Sequence, residues 1–363
     1  MRITEARFAH YRIPREVWWP LPLGDTTHQV SHFELLTCDL STDEGVPGFG
    51  YTYTVGQGGT AVATMLREEI APQLSGVDCR DTQALWERLW WRLHWVGRGG
   101  VLPVAMSAVD IAMWDAQARA AGLPLYRYLG ATREAIRAYG SGVDLAYSLE
   151  ELVQEVRDYR AAGFDAVKIK VGRPLAEDLE RLRAVREAIG PDCELMVDAN
   201  MGWDLGEAAR RARAMEEFDL CWLEEPLEPE DVDGHARLQA QTAIPIAAGE
   251  TLMSPYEFRN YFAAGAIRVV QADVTRMGGI TPWLRVAQMA EAAHLKLAPH
   301  FVQDLHLHLL CAIPNALILE YLPWLDRLLE TPLRLEGGVA RPPQEPGHGV
   351  RFSEEVIGPH RVS

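Results

Sequence analysis

Three carboxylates recur at equal spacing, and each ends a short apolar run. Glu194-Leu195-Met196-Val197 leads into Asp198, Cys221-Trp222-Leu223 into Glu224, and Ile244-Pro245-Ile246-Ala247-Ala248-Gly249 into Glu250. Asp198 and Glu224 are 26 residues apart, and so are Glu224 and Glu250. Carboxylates brought to one spot cannot all ionise unless a cation neutralises them. Hard oxygen ligands in that number, with coordination positions to spare, favour Mg²⁺. Any one of the three alone reads as well as a solvated residue at a strand end. The even spacing argues against that reading for the set.

The spacing also says which elements must position them. Each gap holds a segment of helical length, 206–218 and then 231–241. A strand-helix repeat of this length is the βα unit of a parallel barrel, whose strands all point one way, so groups at their ends meet at one mouth. The alternation predicts a first barrel strand at 135–139 with a helix at 148–162, then a strand at 165–171 with a helix at 175–189. Beyond the carboxylates it predicts a strand at 268–271 ending near Asp273 and a helix at 281–294 with Pro282 in its first turn. The last two strands are expected at 295–298, ending at His300, and at 316–319, ending at Glu320. Residues 1–57 read as a strand meander and 58–130 as helices, together an α+β cap domain. The expected division is a cap at 1–130, a modified TIM barrel, (β/α)₇β, at 131–321, and a tail at about 322–363 that returns to the cap.

Other strand-end groups could join the chemistry. Val167-Lys168-Ile169-Lys170-Val171 puts two lysines on one face of a strand. Both faces of a parallel barrel strand are normally apolar, so inward lysines call for a use. Flanked by each other and a metal, their pKa values are expected to fall, and one can serve as a base near neutral pH. Alone, the pair reads more readily as solvated rim charges; beside the carboxylate series that reading gives way. Asp273 and His300 end adjacent strands, so the carboxylate can orient and support the imidazole in an acid/base dyad. Glu320 can donate or accept a hydrogen bond where charge develops on an oxygen.

Composition narrows the class. The chain has 363 residues, 48% of them hydrophobic, and a net charge of −16. Nothing basic or striped suggests a nucleic-acid surface. The five scattered cysteines form no CxxC pair and read as buried thiols in a reducing compartment, neither a disulfide frame nor a zinc site. No apolar run approaches a membrane span, so a cytoplasmic protein is expected. Trp18-Trp19, set among prolines, reads as an anchor under a loop or as part of a lid over a ligand.

The set Lys168-Ile169-Lys170, Asp198-Ala199-Asn200, Glu224-Glu225-Pro226, Gly249-Glu250, Asp273, His300 and Glu320 resembles the mandelate racemase subgroup of the enolase superfamily over nearly the whole chain. The helical run ending in Asp110-Ile111-Ala112-Met113-Trp114-Asp115 resembles that subgroup's junction between cap and barrel. The resemblance implies Mg²⁺ on Asp198, Glu224 and Glu250, Lys170 as base on one face of the substrate with Lys168 tuning it, and the Asp273–His300 dyad on the other face. It implies Glu320 at the carboxylate oxygen, Asn200 near the carboxylate, and a homo-oligomer between dimer and octamer. The shared first step would remove a proton alpha to a carboxylate, giving an enediolate that the metal stabilises.

Two outcomes are then open. Expulsion of a β-hydroxyl gives a 2-keto-3-deoxy acid, the work of a hydro-lyase. Reprotonation or ring chemistry gives a racemase, epimerase or cycloisomerase. Gly234-His235-Ala236-Arg237-Leu238 and the run Leu297 to Phe301 followed by His306-Leu307-His308-Leu309 resemble acid-sugar dehydratases of the galactarate and talarate type. That puts a sugar-acid dehydratase first. A noncatalytic binding protein is the remote alternative, but no ligand or base is missing. Arg98, Arg276 and His28 are candidates for the far end of the substrate, and Trp19 for a covering contact. His306 and His308, two apart on an expected helix, share no face and read as structural.

Overall fold

The computed structural model describes residues 1–363. Its first sheet is an antiparallel meander of β1 (Ile3–Pro14), β2 (His32–Thr42) and β3 (Gly48–Val55). Three helices follow: α1 (Gly59–Thr64), α2 (Thr82–Arg92) and α3 (Val101–Ala120). The sequence predicts one helix over 58–70, but α1 passes into a π-helical segment at Met65–Ile70. Helix α3 is buried on nearly every side, as its all-round apolar sequence requires. It lies directly on β3. A Cβ on Gly48 would sit 2.3 Å from the Ala112 carbonyl oxygen, and one on Gly50 2.1 Å from that of Ala108. The glycines of β3 are therefore the contact surface for the helix backbone.

The barrel strands are β4 (Ile136–Ser141), β5 (Ala166–Lys170), β6 (Glu194–Asp198), β7 (Leu220–Glu224), β8 (Ile246–Ala248), β9 (Val269–Val270), β10 (Lys296–Leu297) and β11 (Leu319–Tyr321). They are parallel and pair in chain order, β11 pairs with β4, and Leu297 closes the ring by bridging to Ala316. Between them run α4 (Leu149–Ala161), α5 (Leu175–Ile189), α6 (Leu205–Met215), α7 (Val232–Gln239), α8 (Pro255–Ala264), α9 (Ile280–Ala292) and α10 (Gln303–Ala312). Eight strands with seven helices between them make the expected (β/α)₇β barrel. Helix α8 is absent from the sequence reading, although its ends are marked. The Ser254 hydroxyl accepts from the Glu257 N–H, Pro255 opens the helix, and Gly265 at φ 65° closes it. Glu320 lies inside β11, one residue before its end.

One residue in or next to each barrel strand fills the interior: Tyr139, Ala166, Met196, Trp222, Ala247, Val269, Ala298 and Ile318. Two bulky rings face three alanines, and Tyr139 meets Trp222 edge-on with centroids 5.4 Å apart. This apolar plug is the floor on which the polar groups stand. Cap and barrel are joined by buried polar contacts. Asp110 on α3 accepts from the Thr281 N–H in the first turn of α9 at 2.9 Å. Asp115, one turn on, accepts from the N–H groups of Phe49 and His348, both at 2.9 Å. The tail makes two attachments. A short hairpin, β12 (Leu335–Glu336) and β13 (Val339–Ala340), adds antiparallel to β4, while Gly347 bridges Pro124 and Arg361 bridges Tyr11 in the cap. No helix is long and apolar enough to cross a membrane.

Candidate active site

Side chains alternate along a strand, so the residues two beyond the plug also point inward. On β4, β5, β6, β7, β10 and β11 these are Ser141, Lys168, Asp198, Glu224, His300 and Glu320. The polar ring is the apolar plug shifted by one pleat. At β8 the corresponding residue is Gly249, at φ 145°, where a Cβ would fall within 3.0 Å of Phe258 and of the Gln271 backbone. That glycine lets the chain turn so that Glu250 supplies the carboxylate.

The three equally spaced carboxylates do converge. One oxygen from each of Asp198, Glu224 and Glu250 lies within 4.8 Å of the others. Parallel register explains it: Lys170 pairs with Asp198, and Asp198 with Glu224. Three buried carboxylates at this separation fit a divalent cation with oxygen ligands. Without one, the lysines serve as counter-charges. Lys170 Nζ is 2.5 Å from Asp198 Oδ2, and Lys168 Nζ is 2.6 Å from Glu224 Oε1 and 2.8 Å from Glu320 Oε1. Burial pushes the pKa of both lysines down, but Glu224 and Glu320 around Lys168, and Asp198 beside Lys170, more than offset it and hold both up. Burial and the Asp198 charge raise Glu224 to about 8. A triad in which one member resists ionisation is one that a cation would stabilise.

The dyad forms as predicted. His300 Nδ1 is 2.9 Å from Asp273 Oδ2, and His300 Nε2 is 3.5 Å from Glu250 Oε2. Asp273 also accepts from the Tyr53 hydroxyl at 3.0 Å and from the N–H and hydroxyl of Thr275 at 2.7 and 2.6 Å. Burial opposes its charge, yet the His300 bond wins and its pKa stands near 2. Burial likewise opposes charge on His300, but Glu250 and Asp273 raise it to about 9. Glu320 is an acceptor on every contact: Oε1 from Ser141 and Lys168, and Oε2 from the Phe301 N–H. Asn200 lines the cavity with its Oδ1 buried and unpartnered, while its N–H donates to Asp198 Oδ1 at 2.9 Å.

These groups open into one cavity of about 360 Å³ between barrel and cap. Its barrel side carries Lys168, Lys170, Asn200, Glu250, His300 and Glu320. Its cap side is largely apolar, with Val30, Val55, Val62, Val101 and Val104. His28 and Arg276 reach it; Arg98 and Trp19 do not. The Arg98 guanidinium stacks on the rings of Trp90 and Trp91 at 5.0 and 4.4 Å, leaving Gly100 and Val101 at the wall. Trp19 follows a single helical turn in extended conformation and faces away, donating to the Tyr147 hydroxyl at 3.0 Å. Its neighbour Trp18 lines the cavity instead. Tyr53, Ser141, Asp25 and Thr26 were not singled out from sequence. The alternation of Tyr51 and Tyr53 along β3 was a usable signal, because both donate to barrel carboxylates, Asp304 and Asp273. His306 and His308 are structural, as expected: His306 is fixed between the Phe301 carbonyl and the Val274 N–H, and His308 between the His348 carbonyl and the Tyr126 N–H.

Comparison with known proteins agrees with this geometry. Residues 10–130 match the mandelate racemase / muconate lactonizing enzyme N-terminal domain, and residues 151–356 the enolase C-terminal domain-like family. The chain is 40% identical to a 3,6-anhydro-alpha-L-galactonate cycloisomerase of Streptomyces coelicolor over 359 residues, 98% of each protein. It is also 40% identical to an L-talarate/galactarate dehydratase of Salmonella typhimurium over 324 residues, 89% of this chain and 81% of the relative. Its fold superimposes on the crystal structure of a Streptomyces coelicolor racemase with bound magnesium, with a TM-score of 0.95 and 40% identity over 99% of this chain and 100% of that one. With both domains matched and the carboxylate triad, paired lysines and Asp–His dyad gathered at one barrel mouth, the chain belongs to the mandelate racemase / muconate lactonizing enzyme family of the enolase superfamily.

Proposed function

We propose that this enzyme uses Mg²⁺ to remove the proton alpha to the carboxylate of a sugar acid and then expels the β-oxygen, giving a 2-keto-3-deoxy acid. The observation that carries the reading is the two-sided site: Lys170 on β5 and His300, backed by Asp273 beyond β9, face one cavity that Glu250 of the triad also lines. Asp198, Glu224 and Glu250 would hold Mg²⁺, which would supply charge stabilisation for the enediolate. Lys170 is the base; once Asp198 serves the cation, the ion pair that keeps this lysine protonated is weakened. Lys168 holds Glu224 and Glu320 in place. His300 gives its proton to the departing oxygen, and Asp273 fixes the ring and supports its charge. Asn200, with a free buried oxygen, orients the substrate carboxylate or a neighbouring hydroxyl. His28 and Arg276 are the cationic groups for the far end.

A second form of the same elimination is favoured by the apolar cap side of the cavity. In a 3,6-anhydro acid the β-oxygen belongs to a ring ether, so its expulsion opens the ring without losing water. An apolar wall suits such a compact, dehydrated sugar better than an open polyhydroxy diacid. The test is a set of open-chain and anhydro sugar acids with Mg²⁺, read as semicarbazide absorbance of the keto acid and as product mass. Product lighter by one water indicates dehydration, and product of unchanged mass indicates ring opening. Lys170→Ala and His300→Asn are each expected to lower kcat by about 10³-fold. Alpha-proton exchange in deuterated water without keto acid would replace elimination with racemisation or epimerisation.

The reading keeps residues 1–130 as cap, about 322–363 as its returning tail and 131–321 as barrel. It also keeps a homo-oligomer. Trp91, Trp95, Val96 and Tyr256 are large apolar side chains left in solvent, which supports association. Mass from light scattering tests it.

A further inference from the structure

The cap loop 24–29 is fastened to the ends of three successive barrel strands. The Gly24 N–H donates to the Val143 carbonyl beyond β4, at 3.4 Å. The Thr26 hydroxyl reaches the carbonyl oxygens of Ala199 and Asn200 beyond β6, at 2.9 and 2.7 Å. The Thr26 methyl fills a niche kept open by two glycines. A Cβ on Gly172, beyond β5, would sit 2.2 Å from Thr26 Cγ2, and one on Gly202 3.0 Å from it. Asn200 and Met201 turn there with φ of 40° and 62°. The loop has its own frame as well. Asp25 Oδ1 accepts from the N–H groups of Thr27 and His28, and the Asp25 N–H donates to the His28 carbonyl. The result is a rigid turn that presents Asp25 and His28 to the cavity.

We propose that Thr26 is a positioning residue: a latch that holds loop 24–29 closed on the strand end carrying Asp198, and so sets substrate affinity through Asp25 and His28. Its hydroxyl fixes the loop to the barrel and its methyl fixes the depth. The affinity arm rests on the sugar-acid reading above; the closure arm does not.

The test compares Thr26→Val, which keeps the shape and loses the hydroxyl, with Thr26→Ser, which does the reverse. Amide hydrogen exchange over 24–29 reads closure without any substrate. Thr26→Val is expected to speed exchange there by about tenfold while Thr26→Ser stays within about threefold of wild type. With substrate, Thr26→Val raises KM by about fivefold and leaves kcat within about twofold, because a smaller closed fraction weakens binding without touching the reacting groups. Gly202→Ala, whose added carbon would lie 3.0 Å from both the Thr26 methyl and the Ala199 carbonyl oxygen, presses on the same contact and loosens the loop. Thr26→Ser in that background recovers part of the protection, and Thr26→Val does not. Unchanged exchange in Thr26→Val overturns the latch. So does a fall in kcat with KM and exchange intact, which would place the effect on the Asp198 backbone. Failure of wild type to turn over any sugar acid would refute the functional reading, and the exchange comparison would still decide the latch.

Discussion

Asp273 carries the proton-transfer machinery without reaching the cavity. Both of its oxygens are taken, one by Tyr53 and His300 and the other by Thr275, so it cannot swing away to meet substrate. Its role is to fix which nitrogen of His300 faces inward and to support the charge on the ring. Asp273→Asn preserves shape but presents an amide to Nδ1. The expected result is a loss of kcat of about 10²- to 10³-fold, with Mg²⁺ affinity by calorimetry close to wild type, because no triad ligand changes. The individual chemistry was largely legible at this scale. Asp198, Glu224 and Glu250 announce themselves by ending apolar runs, Lys168 and Lys170 by their spacing of two, and Asp273, His300 and Glu320 by falling at or beside strand ends, where the chain has one direction. Arg98 and Trp19 were misplaced for the complementary reason. They sit in loops, where a side chain's heading depends on a backbone turn that no sequence period encodes.

The elements divide in the same manner. The βα repeat was readable because strand and helix alternate with fixed length between carboxylates. Helix α8 was not read because its aromatic residues, Tyr256, Phe258, Tyr261 and Phe262, blur the polar and apolar faces, although Ser254, Pro255 and Gly265 mark both ends. Strands β9 and β10 have only two residues each, shorter than the expected 268–271 and 295–298, although the N–H groups of Gln271 and Ala298 still bond to the neighbouring strands. Among the helices, α4 has the most complete start: Ser148 accepts from the Glu151 N–H, and Glu151 accepts from the Ser148 N–H. Ser148→Ala removes half of this reciprocal pair and is expected to cost about 1 kcal/mol. Urea denaturation with an unchanged m-value would show it.

At the scale of the molecule, acid stability follows from the two histidines of α10. Burial lowers His306 to about 4 and His308 to about 3, against 6.5 for an unperturbed imidazole. The unfolded chain takes up protons at these positions below pH 6.5, and the folded chain does so only near 4 and 3. Stability is therefore whole above pH 6.5 and falls as pH drops toward 4, by at most about 1.4 kcal/mol per pH unit for each group. The melting temperature measured from pH 8 to pH 4 should decline along this course, and His308→Gln should flatten the decline.

The one-pleat offset between the barrel plug and the charged ring bears on how such a molecule can diverge. Six of the eight strands carry two inward positions with separate duties, one filling space and the next bearing a polar group of the site. Substitutions in the upper set can exchange acids, bases or ligands while the lower set goes on filling the barrel. Variation that alters the reaction is thus partly insulated from variation that endangers folding. A lineage built on this scaffold can explore new substrates without first rebuilding its interior.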